Sequence, residues 1–187
     1  MNNTIKAALQ DLHTRHAKIW KDEHNSLPQQ VFDEEWISPC EVQRLQGELL
    51  TWSAVERDVE INLANIEEAL EVTLHPSISA LFCSFYADGI PCLFEGHPID
   101  LIQVWNDEDF NLLQENMIAH FMMQKRLKKP ASMFIASCSD EMQVISILNE
   151  TGEVQLETLG KKQEAVLAPD LETFLAKLQP VLGHEQD

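Results

Sequence analysis

The sequence predicts an α+β fold: one domain over residues 1–187, with helices packed on a mostly antiparallel or mixed sheet. Three observations predict it. Hydrophobic side chains make up 44% of 187 residues, enough for a sizeable single core. Short apolar runs recur between turn signals without a βαβ rhythm. Helical periodicity appears at both ends and twice between them. The expected layout is an N-terminal helix within 1–24, a long loop over 25–48 and an α+β body over 49–182.

Residues 4–24 read as an amphipathic helix with Ile5, Leu9, Leu12, His16 and Ile19 on one stripe. His13 and His16 lie one turn apart and invite a metal reading, but no third ligand is evident, and two histidines at a helix edge near Trp20 account for the spacing. Pro28 and Pro39 break the pattern between Asn25 and Cys40. Phe32, Trp36 and Ile37 are too apolar for a free linker, so they pin the loop to the body or in part line a contact surface. Glu48 to Val55 reads as a strand around Trp52. Asn62 to Thr73 reads as a short helix with Leu63, Ile66, Leu70 and Val72 inward, ended by Pro76. Leu81 to Phe85 suits a strand, Ala87-Asp88-Gly89 a turn, and Pro91 to Phe94 the return strand. Glu95-Gly96-His97-Pro98 marks a second turn before a strand at 99–105.

The central helix is the clearest element. Asn106 caps it, and Asp107, Glu108 and Asp109 sit where the helix dipole favours negative charge. Phe110, Leu113, Met117 and Phe121 share one face, which Ile118 and Met122 widen. Lys125, Arg126, Lys128 and Lys129 close the far end before Pro130. Beyond it, Met133 to Ala136 and Gln143 to Leu148 are strands, and Asn149-Glu150-Thr151-Gly152 forms a hairpin turn. Val154 and Leu156 alternate with Gln155 and Glu157 on the return. A last strand near Glu164 to Leu167 precedes a helix capped by Asp170 and packed through Leu171, Phe174, Leu175 and Leu178; Gly183 to Asp187 reads as a frayed tail.

Charge bounds the partners. The net is -18, and residues 33–72 alone carry -9. Such a field repels phosphate, so nucleic acid and bare anionic lipid are poor partners and a basic protein surface is the natural one. No apolar run is long enough to span a bilayer, and the start MNNTIKAALQDLH lacks the pattern of a secretory signal. Four cysteines without a CxxC read as free, buried thiols in a reducing cytoplasm. Six scattered glycines make no phosphate loop, and neither GxSxG nor HExxH occurs, so neither an enzyme nor a cofactor is expected. No heptad seam asks for obligate assembly, so the chain is expected to be a soluble monomer or weak dimer.

Two acidic clusters are the candidate partner-binding sites. Glu67 and Glu71, flanking Glu68, are like charges at i,i+4 with no basic neighbour in sequence. Asp107, Glu108 and Asp109 serve the helix start and are equally able to face a partner. Glu115 lies six residues past Asp109, roughly 9 Å along the axis but turned round the helix, so its membership of the same surface stays open.

The run WNDEDFNLLQENMIAHFMMQKRLKKPASMFIA, followed by VISILNETGEV and LETLG, resembles the Syd family of bacterial SecY-interacting proteins. Ser38-Pro39-Cys40 and Asn65-Ile66-Glu67 extend the similarity upstream, strongly after Leu101 and weakly between Gln29 and Asn62. The QEN and QKRLK runs and the W-x-[DE]-[DE]-D-F helix start are kept, while residues 41–61 depart from the pattern, so acidic residues there carry little weight as sites. The resemblance implies an α+β member of the wider SUKH fold group, which also holds many toxin-immunity proteins. It implies a peripheral protein on the cytoplasmic face of the inner membrane, reaching the membrane only through its protein partner. An acidic concave face would dock on cytoplasmic loops of the SecY translocation channel and modulate or check abnormal SecY complexes. The alternative is an immunity-type inhibitor of a basic, nuclease-like toxin, which wants an acidic groove equally.

Overall fold

The periodic N-terminal stripe becomes α1 (Asn3–His24), which buries Ile5, Leu9, Leu12, His13 and His16. This computed structural model describes residues 3–57, 60–158 and 165–183. The stretch expected as a long loop instead holds two strands, β1 (Gln29–Val31) and β2 (Glu41–Arg44). Both pair antiparallel with β3 (Leu49–Trp52), in the order β1-β3-β2. Their polar sequences, QQV and EVQR, carry no alternation, so nothing local announces them. Only β3, which buries Leu50, Thr51 and Trp52, anchors the trio. A short β4 (Val55–Glu56) follows.

The predicted short helix is α2 (Ala64–Leu70), ended by Glu71 in the left-handed conformation at φ 53°. Pro76, expected to end a helix, begins one: α3 (Pro76–Phe82) has proline in its first turn and His75 as N-cap. Leu81 and Phe82, expected in a strand, therefore belong to a helix, and only β5 (Phe85–Tyr86) is extended, paired with β4. Ser77, Ile78, Ala80, Leu81 and Phe82 of α3 are all buried. A helix enclosed on most sides has no polar face to reveal its period, so its apolar run imitates a strand.

The remaining strands are β6 (Ile90–Phe94), β7 (His97–Leu101), β8 (Ser132–Cys138), β9 (Gln143–Leu148), β10 (Val154–Thr158) and β11 (Ala165–Ala168). Helix α4 (Asp107–Leu127) separates β7 from β8, and α5 (Leu171–Lys177) leads to β12 (Gln179–Pro180). These strands form one seven-stranded antiparallel sheet, β11-β10-β9-β8-β7-β6-β12. The strand expected over 99–105 stops at Leu101; beyond it Ile102 N–H donates to the Ile135 carbonyl and the Val104 carbonyl accepts from Ala87. Glu164 and the tail beyond Gly183 lie outside the described residues. The domain is a single α+β unit.

Two buried clusters organise it. In the larger, Phe110, Leu113, Met117 and Phe121 of α4 join Met133, Ile135, Ile145 and Ile147 of the sheet. Phe174 stacks on Phe94 at 5.0 Å, and Arg15 caps α5 through the Leu178 carbonyl at 2.6 Å. The smaller cluster, Cys40, Leu50, Trp52, Ala87 and Trp105, ties the three-stranded sheet to the start of α4. The expected polar positions of β10 are not exposed. Glu157 is only 8% exposed and accepts from Ser132 and Ser146, while Gln124 of α4 donates to the Ser132 hydroxyl. These donors satisfy a carboxylate that would be costly to bury bare.

Candidate acidic cleft

The first turn of α4 is held by interlocking hydrogen bonds. The Asn106 side chain accepts from the Asp109 N–H at 2.8 Å, and the Asp109 carboxylate accepts from the Trp105 N–H at 2.8 Å, a reciprocal variant of the capping box. Asn106 also donates to the Ile37 carbonyl and the Trp105 indole to the Trp36 carbonyl, each at 3.0 Å. The Ser38 hydroxyl donates to the Trp105 carbonyl. Trp105 meets Trp52 edge-on at 6.1 Å. The apolar residues of the 25–40 stretch thus hold it against α4.

That attachment creates a cleft. Asp33 after β1, Glu41 of β2, Asp88 in the β5–β6 turn and Asp109 of α4 surround a hollow of about 230 Å³, with Trp36, Trp105 and Leu50 in its wall. No cationic side chain lines it. Each carboxylate is held: Asp33 accepts from Glu35 N–H at 2.9 Å and Glu41 from Ser38 N–H at 3.1 Å. Asp88 accepts from the Gln30 amide at 2.9 Å and from Gly89 N–H at 2.8 Å. Burial pushes the Asp88 carboxyl up to about 6; the Gly89 hydrogen bond opposes that rise, and the charge of Asp109 adds to it.

The other expected site residues divide. Asp107 accepts from the Tyr86 hydroxyl and lies 3.7 Å from Arg57 Nη2. Arg57 itself is buried, its guanidinium 4.4 Å from the Tyr86 ring centroid and 4.1 Å from that of Phe110. Glu108 and Glu115 are exposed on α4. Glu67 is half-buried and accepts from Leu74 N–H at 2.8 Å, so it closes the end of α2. Glu68 and Glu71 line a second hollow of about 630 Å³ together with Ile118, Phe121, Met122, Lys125 and Lys129. The absence of a basic neighbour, inferred from sequence, does not hold in space. Lys125 is sixteen residues beyond Asp109, about 24 Å along α4 at roughly 1.5 Å per residue. The structure therefore does not bring Glu71 together with the helix start. The sequence reading did not single out Asp33 or Asp88 as cleft residues and discounted Glu41 with the rest of 41–61; the excess acidity of 33–72 was the available signal for Asp33 and Glu41.

The paired histidines of α1 lie buried outside the cleft. His13 shares a hydrogen bond with Gln103 at 3.2 Å, and the Trp20 indole donates to His16 Nε2 at 3.2 Å. Burial lowers both imidazoles to about 4, and for His16 the neighbouring His13 adds to the effect. Burial likewise raises the Cys40 and Cys83 thiols to about 11 and Cys92 to about 12, far from nucleophilic at neutral pH. Among the described residues, no group of three or more His, Cys, Asp or Glu side chains is placed to hold a metal. No described helix is long and apolar enough to cross a membrane.

Fold and cleft together define an acidic α+β domain whose four cleft carboxylates come from four separate segments. Residues 6–180 match the family model described as Syd protein (SUKH-2). Protein Syd of Psychromonas ingrahamii is 58% identical, covering 97% of this chain and 99% of that one. Protein Syd of Aliivibrio salmonicida is 41% identical, covering 96% and 98%, and that of Cronobacter sakazakii 37%, covering 97% and 100%. The chain belongs to the Syd family.

Proposed function

We propose that this protein is a non-enzymatic binding domain that docks its acidic cleft on basic cytoplasmic loops of SecY and thereby modulates or checks abnormal SecY complexes. One observation carries the reading: four carboxylates converge on one hollow lined by no cation. Short cytoplasmic loops of polytopic membrane proteins are enriched in Lys and Arg, which makes them a fitting counterpart. Asp33, Glu41, Asp88 and Asp109 form the centre of the contact, with Asp107 and Glu108 beside it. Glu67, Glu71 and Glu115 stand outside that centre. A net charge of -18 opposes direct attachment to anionic lipid, so the protein, a monomer or weak dimer, reaches the cytoplasmic face of the membrane through its partner.

The test is co-sedimentation with inverted inner-membrane vesicles that are SecY-rich or SecY-depleted. Binding that tracks SecY content and weakens with salt supports the reading. Equal binding to both vesicle types would refute it. Tighter binding to a basic nuclease than to SecY would favour a toxin inhibitor instead.

A further inference from the structure

Helix α4 turns a second face outward, away from the side that packs on α2 and β8. Glu108, Leu112, Glu115, Ala119, Met122, Met123 and Arg126 are all exposed on it. Glu108, Glu115 and Met122 recur every seven residues, as do Leu112, Ala119 and Arg126, so at about 3.6 residues per turn they share one stripe. Its apolar members are open to solvent: Leu112 is 49%, Met122 62% and Met123 48% exposed. Charge is sorted along the same helix. Asp107, Glu108, Asp109 and Glu115 occupy its first half, while Lys125, Arg126, Lys128 and Lys129 lie at or just past its other end. The helix dipole accounts for the two ends. It does not account for Glu115, which lies beyond the first turn, or for the apolar residues exposed between the charges. Among the described residues no ion pair engages Glu108, Glu115 or Arg126. Four acids and four bases make residues 107–129 neutral in a chain of net charge -18, so a second copy meets little local repulsion here.

We propose that this face pairs with the same face of a second copy in a weak dimer, the two α4 helices running antiparallel about a two-fold axis at Ala119. A two-fold interface must be self-complementary. Sorted charge meets that condition only in the antiparallel sense, because parallel helices would set acid against acid and base against base. With Ala119 opposite its own copy, Leu112 lies opposite Arg126 of the second copy and Glu115 opposite its Met123. Glu115 is then about 4.5 Å along the axis from the second copy's Arg126, within reach of two long side chains. Leu112 has the same offset from the second copy's Met123, and the symmetry makes each contact twice. Ala119 carries the smallest side chain of the stripe, so the axes can approach to the near end of the roughly 8–10 Å range. Polar members deny the stripe a continuous apolar seam, and the contact is one helix wide, so the dimer is small and transient. Copies of charge -18 repel at long range. At about 0.15 M salt that repulsion is screened beyond roughly 8 Å, while pairs in contact persist. None of the seven side chains lines the acidic cleft, so the inference is independent of the function proposed above.

The test is sedimentation equilibrium of the full chain in about 0.15 M NaCl, from about 10 µM to about 1 mM protein. The expected result is monomer at the low end and a growing share of dimer at the high end. Glu115→Arg alone and Arg126→Glu alone should each weaken association about tenfold, because each sets like charges together. An equimolar mixture of the two variants should recover it, and so should both substitutions in one chain. Recovery in the mixture also shows that neither variant lost its fold. Ala119→Cys should link to its own copy on mild oxidation, beyond the level of the unsubstituted protein. Asn111→Cys should not, since the two copies of that position stand about 24 Å apart along the axis. A protein that stays monomeric to about 1 mM overturns the dimer. Association indifferent to both single variants, or weakened by them without recovery in the mixture, overturns the face. Linkage through Asn111→Cys in place of Ala119→Cys overturns the antiparallel register.

Discussion

Acid should weaken this fold through α1, and the size of the effect follows from two buried histidines. His13 and His16 are 7% and 3% exposed, and burial lowers each from its ordinary 6.5 to about 4. The folded state thus resists protonation that the unfolded chain accepts. Stability from this source is complete above about 6.5, declines as pH falls, and levels off below about 4. At pH 5 the loss is about 2 kcal/mol for each histidine, or about 4 kcal/mol for both if they titrate independently. Asp88 works in the opposite sense: its raised value of about 6 means the folded state takes up its proton first, returning about 1 kcal/mol over the same interval. A net loss of about 3 kcal/mol is a large share of the roughly 5–15 kcal/mol that holds a domain together. Urea unfolding followed by tryptophan fluorescence at pH 7.5, 6 and 5 measures it directly. Substituting His13→Gln and His16→Gln should cost some stability at pH 7.5 yet flatten the acid limb, and each single variant should remove about half of it. An acid slope unchanged in the double variant would refute the assignment.

Further outcomes follow from other contacts. Arg57→Ala should cost about 3 kcal/mol, because it empties a buried slot between Tyr86 and Phe110, whereas Arg57→Met, which keeps the apolar stem, should cost clearly less; equal losses in chemical denaturation would contradict that packing role. Glu67→Ala should lose about 1 kcal/mol by orphaning the Leu74 N–H, and Glu67→Gln should recover most of it. Glu71→Gly should raise the melting temperature slightly, since φ 53° suits glycine; a drop would show that the side chain contributes more than its backbone strain. Protein-free anionic liposomes should leave the protein at the bottom of a flotation gradient, and co-flotation would show a lipid affinity that the charge argument denies.

What was legible in the sequence was what local physics determines. Helix α4 announced itself through period, cap and dipole charges together, and Asn106 does accept from Asp109 as a cap should. Gly152 takes φ 79° in the predicted hairpin. Elements that depend on distant partners were not legible. β1 and β2 exist because β3 offers them hydrogen bonds, β12 because β6 does, and α3 hides its period by being enclosed. Glu157 alternates as an exposed residue would, yet Ser132 and Ser146 satisfy it beneath α4. The cleft has the same character. Asp109 stands out in sequence for its place in a helix turn, but its companions come from residues 33, 41 and 88, which are far from it along the chain and meet it only in the folded domain.

On the proposed function, location and not total acidity makes the binding face. Two variants that each remove two charges separate the ideas: Asp33→Asn with Glu41→Gln in the cleft, and Glu68→Gln with Glu71→Gln in the second hollow. Affinity for SecY-rich vesicles should fall about tenfold for the first pair, about 1.4 kcal/mol, and stay within about twofold for the second. Equal losses, or a greater loss from the second pair, would contradict the account.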